Sequence, residues 1–450
     1  MPACKRPSTS TPSSNSSTLP CTTDSCQAST SWRRRRRRGD GMDVKGTLLA
    51  RALGALLWWK SAGWRVRRVL RGKGISRSRA CDDLPSSRVR VAAVQMELKA
   101  LRSAEEYAEK VYGLMDQAVQ QGAHLVVFPE DSGTHLVGLL PGIADLPPDV
   151  PVESVLAQVG GPEIQVAEIF RTIGPSVRRI YASTFSLLAR AFGVYVVTGS
   201  ALLPDAQGNV RNVAYFFGPQ GELIGTHAKC HLIQLEAQWG LVPGEDLRVY
   251  RTPVGNLAFP ICMDRTYFET TRILRLLGAD LIVVPSADPE PFNFWKKWRG
   301  TWPRVQEAQV YGVDACMVGR FMGLTITGRS AVYAPLELTP DRTGVLYQAR
   351  TFDQEEVLVG EIDYTLLEEV RRASPVEAGF NIELYKRYFP HIYHEFRERM
   401  GRRRVIWPTP GAWGDKRRDV LRSSSKSPHQ NPDTGLGGDT DTGEAPVVTV

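Results

Sequence analysis

Three residue types that together can carry acyl transfer stand at the ends of expected buried strands in this chain. They are Glu130, Lys229 and Cys262. Leu125-Val126-Val127-Phe128 has the look of a short buried strand, and Pro129-Glu130 follows it. A second apolar run, Val254 to Ile261, ends at Cys262, with Asp264 two places on. A thiol attacks carbon as its thiolate, and a free pKa of roughly 8.5 leaves little thiolate at neutral pH. A neighbouring ammonium such as that of Lys229 stabilises the thiolate. A carboxylate such as Glu130 can take the proton and later return it to a leaving amine. The ammonium, aided by a backbone N–H such as that of Met263, can then hold the oxyanion formed when sulfur attacks a carbonyl or nitrile carbon. This chemistry needs no cofactor and no metal.

Each residue alone has a blander explanation: a small buried hydrophobe for Cys262, a solvated strand-end carboxylate for Glu130, a loop lysine for Lys229. His227 and His231 raise a cysteine–histidine pairing, but so close to Lys229 we read them as structural. Cys316 lies in an apolar strand and reads as core. Cys230 points away from Lys229 if that segment is extended.

The elements that must position these groups alternate between strand and helix. Val89 to Val94 reads as a buried strand. Ser103 with Glu106 forms a capping box ahead of a helix whose apolar face is Tyr107, Val111, Leu114, Met115 and Ala118. Residues 131–191 read as mostly helical and amphipathic. Val194 to Thr198 is a strand, and Val213–Phe217 with Leu223–Thr226 a hairpin-like pair. A helix from Phe268 to Leu277, stopped by Gly278, follows Cys262. Leu281–Val284, Ala315–Val318, Gly328–Tyr333 and Val357–Gly360 are further strands, with a helix from Arg304 to Tyr311 between the first two. A helix from Tyr364 to Arg372 closes the body. Such interleaving predicts an α/β layered fold, and no internal repeat is visible.

The net charge of +8 is uneven. Residues 1–87 carry 18 Lys and Arg against 5 Asp and Glu, whereas the remainder carries 38 against 43. The basic character therefore belongs to a low-complexity leader, 1–87, and says nothing about the partner of the body. The Ser-, Thr- and Pro-rich start and a tail at 401–450 are expected to be disordered. The Arg33–Arg38 run reads as solvated, with nucleic acid a minor option. Residues 47–70 predict a short Trp-rich amphipathic helix. It suits a peripheral membrane contact or packing on the body or a second subunit equally, and is too short for the roughly 20 residues of a bilayer span. Four of the seven cysteines lie in the leader, leaving Cys230, Cys262 and Cys316 widely spaced. That is no disulfide framework or zinc pattern, and it suits a reducing, cytoplasmic setting.

The chain resembles the nitrilase (carbon–nitrogen hydrolase) superfamily over about Arg88 to Arg372. The matching pieces are Val91-Ala92-Ala93-Val94-Gln95, Val127-Phe128-Pro129-Glu130, Arg211-Asn212-Val213-Ala214 through Gly221, Lys229-Cys230-His231-Leu232, Cys262-Met263-Asp264 with Glu269, and Gly328-Arg329-Ser330. The resemblance implies a four-layer α-β-β-α sandwich within residues 88–400 and association into a homodimer or higher homo-oligomer. It also implies Glu130 as general base, Lys229 as oxyanion holder and Cys262 as nucleophile. Glu236 is the nearest candidate for a further substrate-positioning glutamate, with Met263 as the second substrate-side residue. In this family Asp two places after the cysteine leans toward a linear amide or carbamoyl substrate. Nitrile hydrolysis, N-acyl transfer and a catalytically silent, membrane-tethered scaffold remain open alternatives.

Overall fold

The computed structural model describes residues 44–402, apart from 76, 78–80, 82–86 and 162–163. The low-complexity start, the Arg33–Arg38 run and the tail beyond 402 lie outside the described residues. The chain divides into two units, Met1–Lys60 and Ser61–Val450. The first contains helix α1 (Val44–Lys60). No described helix is long and apolar enough to cross a membrane.

The second unit opens with α2 (Gly63–Arg71), β1 (Arg88–Glu97), α3 (Ala104–Gln120) and β2 (Leu125–Val127). Residues 131–193 then form two short 3-10 turns, α4 (Val152–Gly160) and the long α5 (Val166–Phe192). Next come β3 (Tyr195–Val197), β4 (Ala201–Pro204), β5 (Val210–Phe217), β6 (Leu223–Ala228) and the short α6 (Gln234–Gln238). The second half carries β7 (Tyr250–Thr252), β8 (Gly255–Ala258), α7 (Phe268–Leu276), β9 (Leu281–Ser286) and α8 (Thr301–Ala308). It finishes with β10 (Tyr311–Phe321), β11 (Leu324–Ile326), β12 (Ala331–Tyr333), β13 (Val345–Gln348), β14 (Glu356–Asp363), α9 (Tyr364–Ala373), α10 (Pro375–Ala378) and α11 (Ile382–Arg402).

The strands make two sheets joined at one edge. In the first, β6, β5, β3, β2, β1 and β14 lie side by side, with β4 also on β5. In the second the order is β7, β8, β9, β10, β12, β13. The join is a short parallel pairing of Met96 and Glu97 in β1 with Met317 and Val318 in β10.

Alternation along each strand sends one set of side chains between the sheets and the other set outward. Val91, Ala93, Val127, Val197 and Phe216 meet Leu257, Phe259, Val283, Val313 and Ala315 in the inner core. On the outside of the second sheet, Ala258, Ile282 and Val284 pack with Leu274 of α7 and Val305 and Ala308 of α8. On the outside of the first, α3 and α5 supply the cover, with the rings of Phe128 and Phe185 4.9 Å apart. The order helix, sheet, sheet, helix is the expected four-layer sandwich. It also explains why several strands read as unbroken apolar runs, since both of their faces are buried.

Differences from the sequence expectation have local causes. The strand before Cys262 stops at Ala258, because Pro260 has no N–H to give a ladder. The strand expected at 315–318 begins earlier, at Tyr311. Of the segment 47–70, α2 packs on α3 and α5 with Val66 fully buried, and Arg65 pairs with Glu105 at 2.7 Å. The packed body thus takes in residues ahead of Arg88. At the other end α9 is not the last helix, for α11 lies on α7. The Tyr393 hydroxyl donates to Glu269 at 2.5 Å and Phe389 meets Phe268 at 6.4 Å.

Candidate active site

Glu130, Lys229, Cys262 and the segment Ala287-Asp288 all follow the C-terminal ends of strands, β2, β6, β8 and β9 in turn. Lys229 Nζ donates to Glu130 Oε1 at 2.8 Å and to Glu236 Oε2 at 2.7 Å, and all three side chains are buried. Asn212, on β5, donates from Nδ2 to Glu130 Oε1 at 2.8 Å and to Glu236 Oε1 at 3.0 Å. The Ala287 N–H donates to Glu130 Oε2 at 2.9 Å. Glu130 is therefore fixed by three donors from three separate parts of the chain. Gly199 makes room for its approach: with φ at 74°, a Cβ there would lie 1.9 Å from the Pro129 carbonyl oxygen.

Burial raises the pKa of Glu130 to about 8, against the pull of the Lys229 charge. Burial works against the Lys229 ammonium, but Glu130, Cys262 and Glu236 outweigh it and hold its pKa well above the ordinary value. The thiol of Cys262 is pushed well up by burial and by the Glu130 charge, with Lys229 and Arg265 pulling it back and Asp288 adding to the rise. Burial and the two cations thus pull on the Cys262 thiol in opposite directions. Cys262 opens a 3-10 turn with φ at 44°, a conformation rare for any residue but glycine, of the kind that holds a nucleophile out from a strand-to-helix junction.

Glu236, the expected substrate-positioning glutamate, lies against Lys229. Its carboxylate is taken up by Lys229, Asn212 and the Ile233 N–H at 2.9 Å, and it does not line the adjoining cavity. Glu130 and Lys229 likewise do not line it. Met263 does line that cavity, which encloses about 270 Å³ beside Cys262 and is also bounded by Arg265, Asp288, Phe292 and Arg329. Phe292 stacks on Phe352 at 4.7 Å. The neighbouring Trp302 packs on Trp298 and donates to the Thr343 carbonyl, so only part of this aromatic stretch shapes the pocket.

Two features were not legible from residue types. Asp264, fully buried, accepts N–H bonds from Ile261 (3.0 Å), Cys230 (3.1 Å) and His231 (2.8 Å) and ring contacts from His227 (3.1 Å) and His231 (2.8 Å). It ties the residue before Cys262 to the residue after Lys229. Burial opposes its charge, yet the His227, His231 and Ile261 bonds hold its carboxyl far below the usual range. The ligand atoms of His227, Cys230 and Asp264 lie within 4.8 Å of one another. With the Asp264 oxygens already occupied by donors and the Cys230 thiol pushed up to about 12 by burial and by Asp264, the group is a hydrogen-bond hub. Arg265 is the second feature. It pairs with Asp288 at 2.9 Å and Asp314 at 3.6 Å and also donates to the Ser286 hydroxyl. A buried Asn in β5 and an Asp–Arg pair after the cysteine are the only sequence signals for this support.

Residues 90–372 match the profile of the carbon–nitrogen hydrolase family. A nitrilase of Pyrococcus abyssi is 31% identical over 286 residues, covering 63% of this chain and 93% of the relative. An omega-amidase of Danio rerio is 26% identical over 312 residues, 66% of this chain and 97% of the relative. A probable hydrolase of Bacillus subtilis, YhcX, is 26% identical over 294 residues, and this chain spans about half of its length (52%). The crystal structure of a carbon–nitrogen hydrolase from Helicobacter pylori G27 has the same fold, with a TM-score of 0.51 and 23% identity over 67% of this chain and 98% of that one.

Proposed function

The chain belongs to the carbon–nitrogen hydrolase family and is an enzyme of that family; from this premise we propose that it hydrolyses a linear amide or carbamoyl group through a thioester on Cys262. The observation that carries the reading is the buried Glu130–Lys229 contact of 2.8 Å, set where both charges act on a cysteine that opens onto a cavity.

In this reading Glu130 takes the Cys262 proton as sulfur attacks the carbonyl carbon, and the oxyanion rests on the Lys229 ammonium and the Met263 N–H. Glu130 returns that proton to the leaving nitrogen, and ammonia or an amine departs, leaving the acyl thioester. A water, deprotonated by Glu130, attacks the thioester. The acid is released and the thiol regains its proton. A carboxyl with a pKa of about 8 is suited to both directions of transfer near neutrality. Asp264 does not speak to the substrate class directly, since it is buried in the hub and not in the cavity. The omega-amidase relative, matched over 97% of its length, supports an amide, and the nitrilase relative, matched over 93%, keeps a nitrile as the second reading.

The test is a panel of amides, carbamoyl amino acids and nitriles, followed by ammonia release and by mass spectrometry of the adduct on Cys262. Cys262→Ala is expected to lower turnover by about 10³-fold or more. Ammonia release that survives the substitution would remove the thioester mechanism, and turnover of nitriles alone would move the chain to the nitrilase reading.

A homo-oligomer is proposed on separate grounds. α7 exposes Phe268, Ile273 and Leu276, with Leu277 just past its end, and α11 beside it exposes Tyr388, Ile392, Tyr393 and Phe396. Contiguous apolar surface of this kind suits a second copy of the chain. Sedimentation equilibrium of wild type against Leu276→Glu tests it; a monomeric wild type refutes it.

A further inference from the structure

We propose that Asp288 sets substrate specificity: its carboxylate, fixed beside the Cys262 sulfur, favours amides carrying a cation close to the carbonyl and disfavours those carrying a carboxylate there. The inference deepens the amide-hydrolase reading and rests on it for the identity of the reacting group.

Asp288 Oδ1 lies 3.9 Å from Cys262 Sγ, and Asp288 Oδ2 accepts from Arg265 Nη2 at 2.9 Å. One oxygen is thus committed to the guanidinium while the other faces the place where an acyl group must bind. Arg265 is shared with Asp314 at 3.6 Å. The other charged residues lining the cavity are Glu290, Arg299 and Arg329, and the Arg329 guanidinium donates to the Ala349 and Arg350 carbonyls. The described lining thus carries three acidic and three basic residues, and the selectivity rests on the nearness of Asp288 Oδ1 to the sulfur.

The backbone around Asp288 is tied on several sides. The preceding Ala287 N–H is bound to Glu130, the Thr327 N–H donates to the Asp288 carbonyl at 3.2 Å, and the Thr327 hydroxyl donates to the Glu290 carbonyl at 2.7 Å. A charge on a tethered loop cannot swing away from an unwelcome ligand, which turns a local field into selectivity. Roughly a third of the Asp288 side chain (36%) is exposed, so water screens the effect, and a discrimination of about tenfold is the expected scale.

Three amides of matched length, 3-aminopropanamide (cationic), butanamide (neutral) and succinamate (anionic), are titrated into the Cys262→Ala protein, in which binding is read without turnover. The cation is expected to bind about tenfold or more tighter than the anion, and Asp288→Asn in the same background should shrink that ratio to about twofold. Asp288→Ser serves as a second charge-removing variant, with a thermal melt to show that each is folded. Equal affinities for cation and anion, no binding of the cation, or a ratio unchanged by both substitutions overturns the proposal. Binding selectivity without turnover of any amide by wild type would instead sink the hydrolase reading and leave this one standing.

Discussion

Replacing Asp264 by Asn tests the physical core of the site, because the two side chains differ by little more than a charge and a donor. The carboxylate serves five donors at 2.8–3.1 Å, three of them backbone N–H groups. In one orientation the new amide nitrogen confronts the Ile261 N–H, and in the other it confronts the His231 N–H. Neither backbone group can turn away. One buried donor left without an acceptor costs roughly 1–3 kcal/mol, and losing charge assistance on the remaining bonds adds about 1–2 kcal/mol. A loss of about 3 kcal/mol is expected against a typical domain stability of about 5–15 kcal/mol, so the variant should still fold. Urea unfolding should show a lower midpoint at unchanged m. Because the hub joins the residue before Cys262 to the residue after Lys229, turnover should also fall by about 10²-fold. The pH dependence has a definite sign. The carboxyl is held low in the folded protein, so its contribution is fully present above the unfolded carboxyl value and disappears as pH drops through the folded one. Asp264→Asn should therefore lose the wild type's excess stability above about pH 4 and converge with it in acid. An Asn variant within about 0.5 kcal/mol of wild type, with undiminished turnover, would show the hub to be incidental.

Three further outcomes are expected. The kcat/KM profile on a neutral amide should rise with pH along a limb centred near 8, since the base acts only when unprotonated and burial has raised its pKa; a limb near the ordinary carboxylate value would mean another base. Gly199→Ala, whose added Cβ would meet the Pro129 carbonyl oxygen at 1.9 Å in a left-handed backbone, should cost about 3 kcal/mol or more and displace Glu130, seen as a parallel loss of melting temperature and kcat. Val66→Ala, which hollows the contact of α2 with α3 and α5, should cost about 2 kcal/mol in a denaturant melt and leave kcat unchanged, whereas a Val66→Ala protein as stable as wild type would mean that α2 is only loosely applied.

The sequence by itself determined the strand and helix alternation, because buried strands must be apolar on both faces and helices on one. It also singled out Glu130, Lys229 and Cys262, since each follows a legible strand and together they stand in the order of the family's motifs. What it could not decide was which polar atoms meet. Asn212 is unremarkable in a strand until β5 is laid between β4 and β6, where its amide reaches two carboxylates that lie 106 residues apart in the chain. Asp264 looked like a substrate determinant from its spacing to the cysteine. Only the close approach of the 227–231 segment made it a buried hub, because an acceptor is defined by donors brought from elsewhere. The electrostatic setting of the Cys262 thiol was likewise a tertiary matter. Lys229 and Arg265 pull its pKa down, but burial and the Glu130 charge push it up.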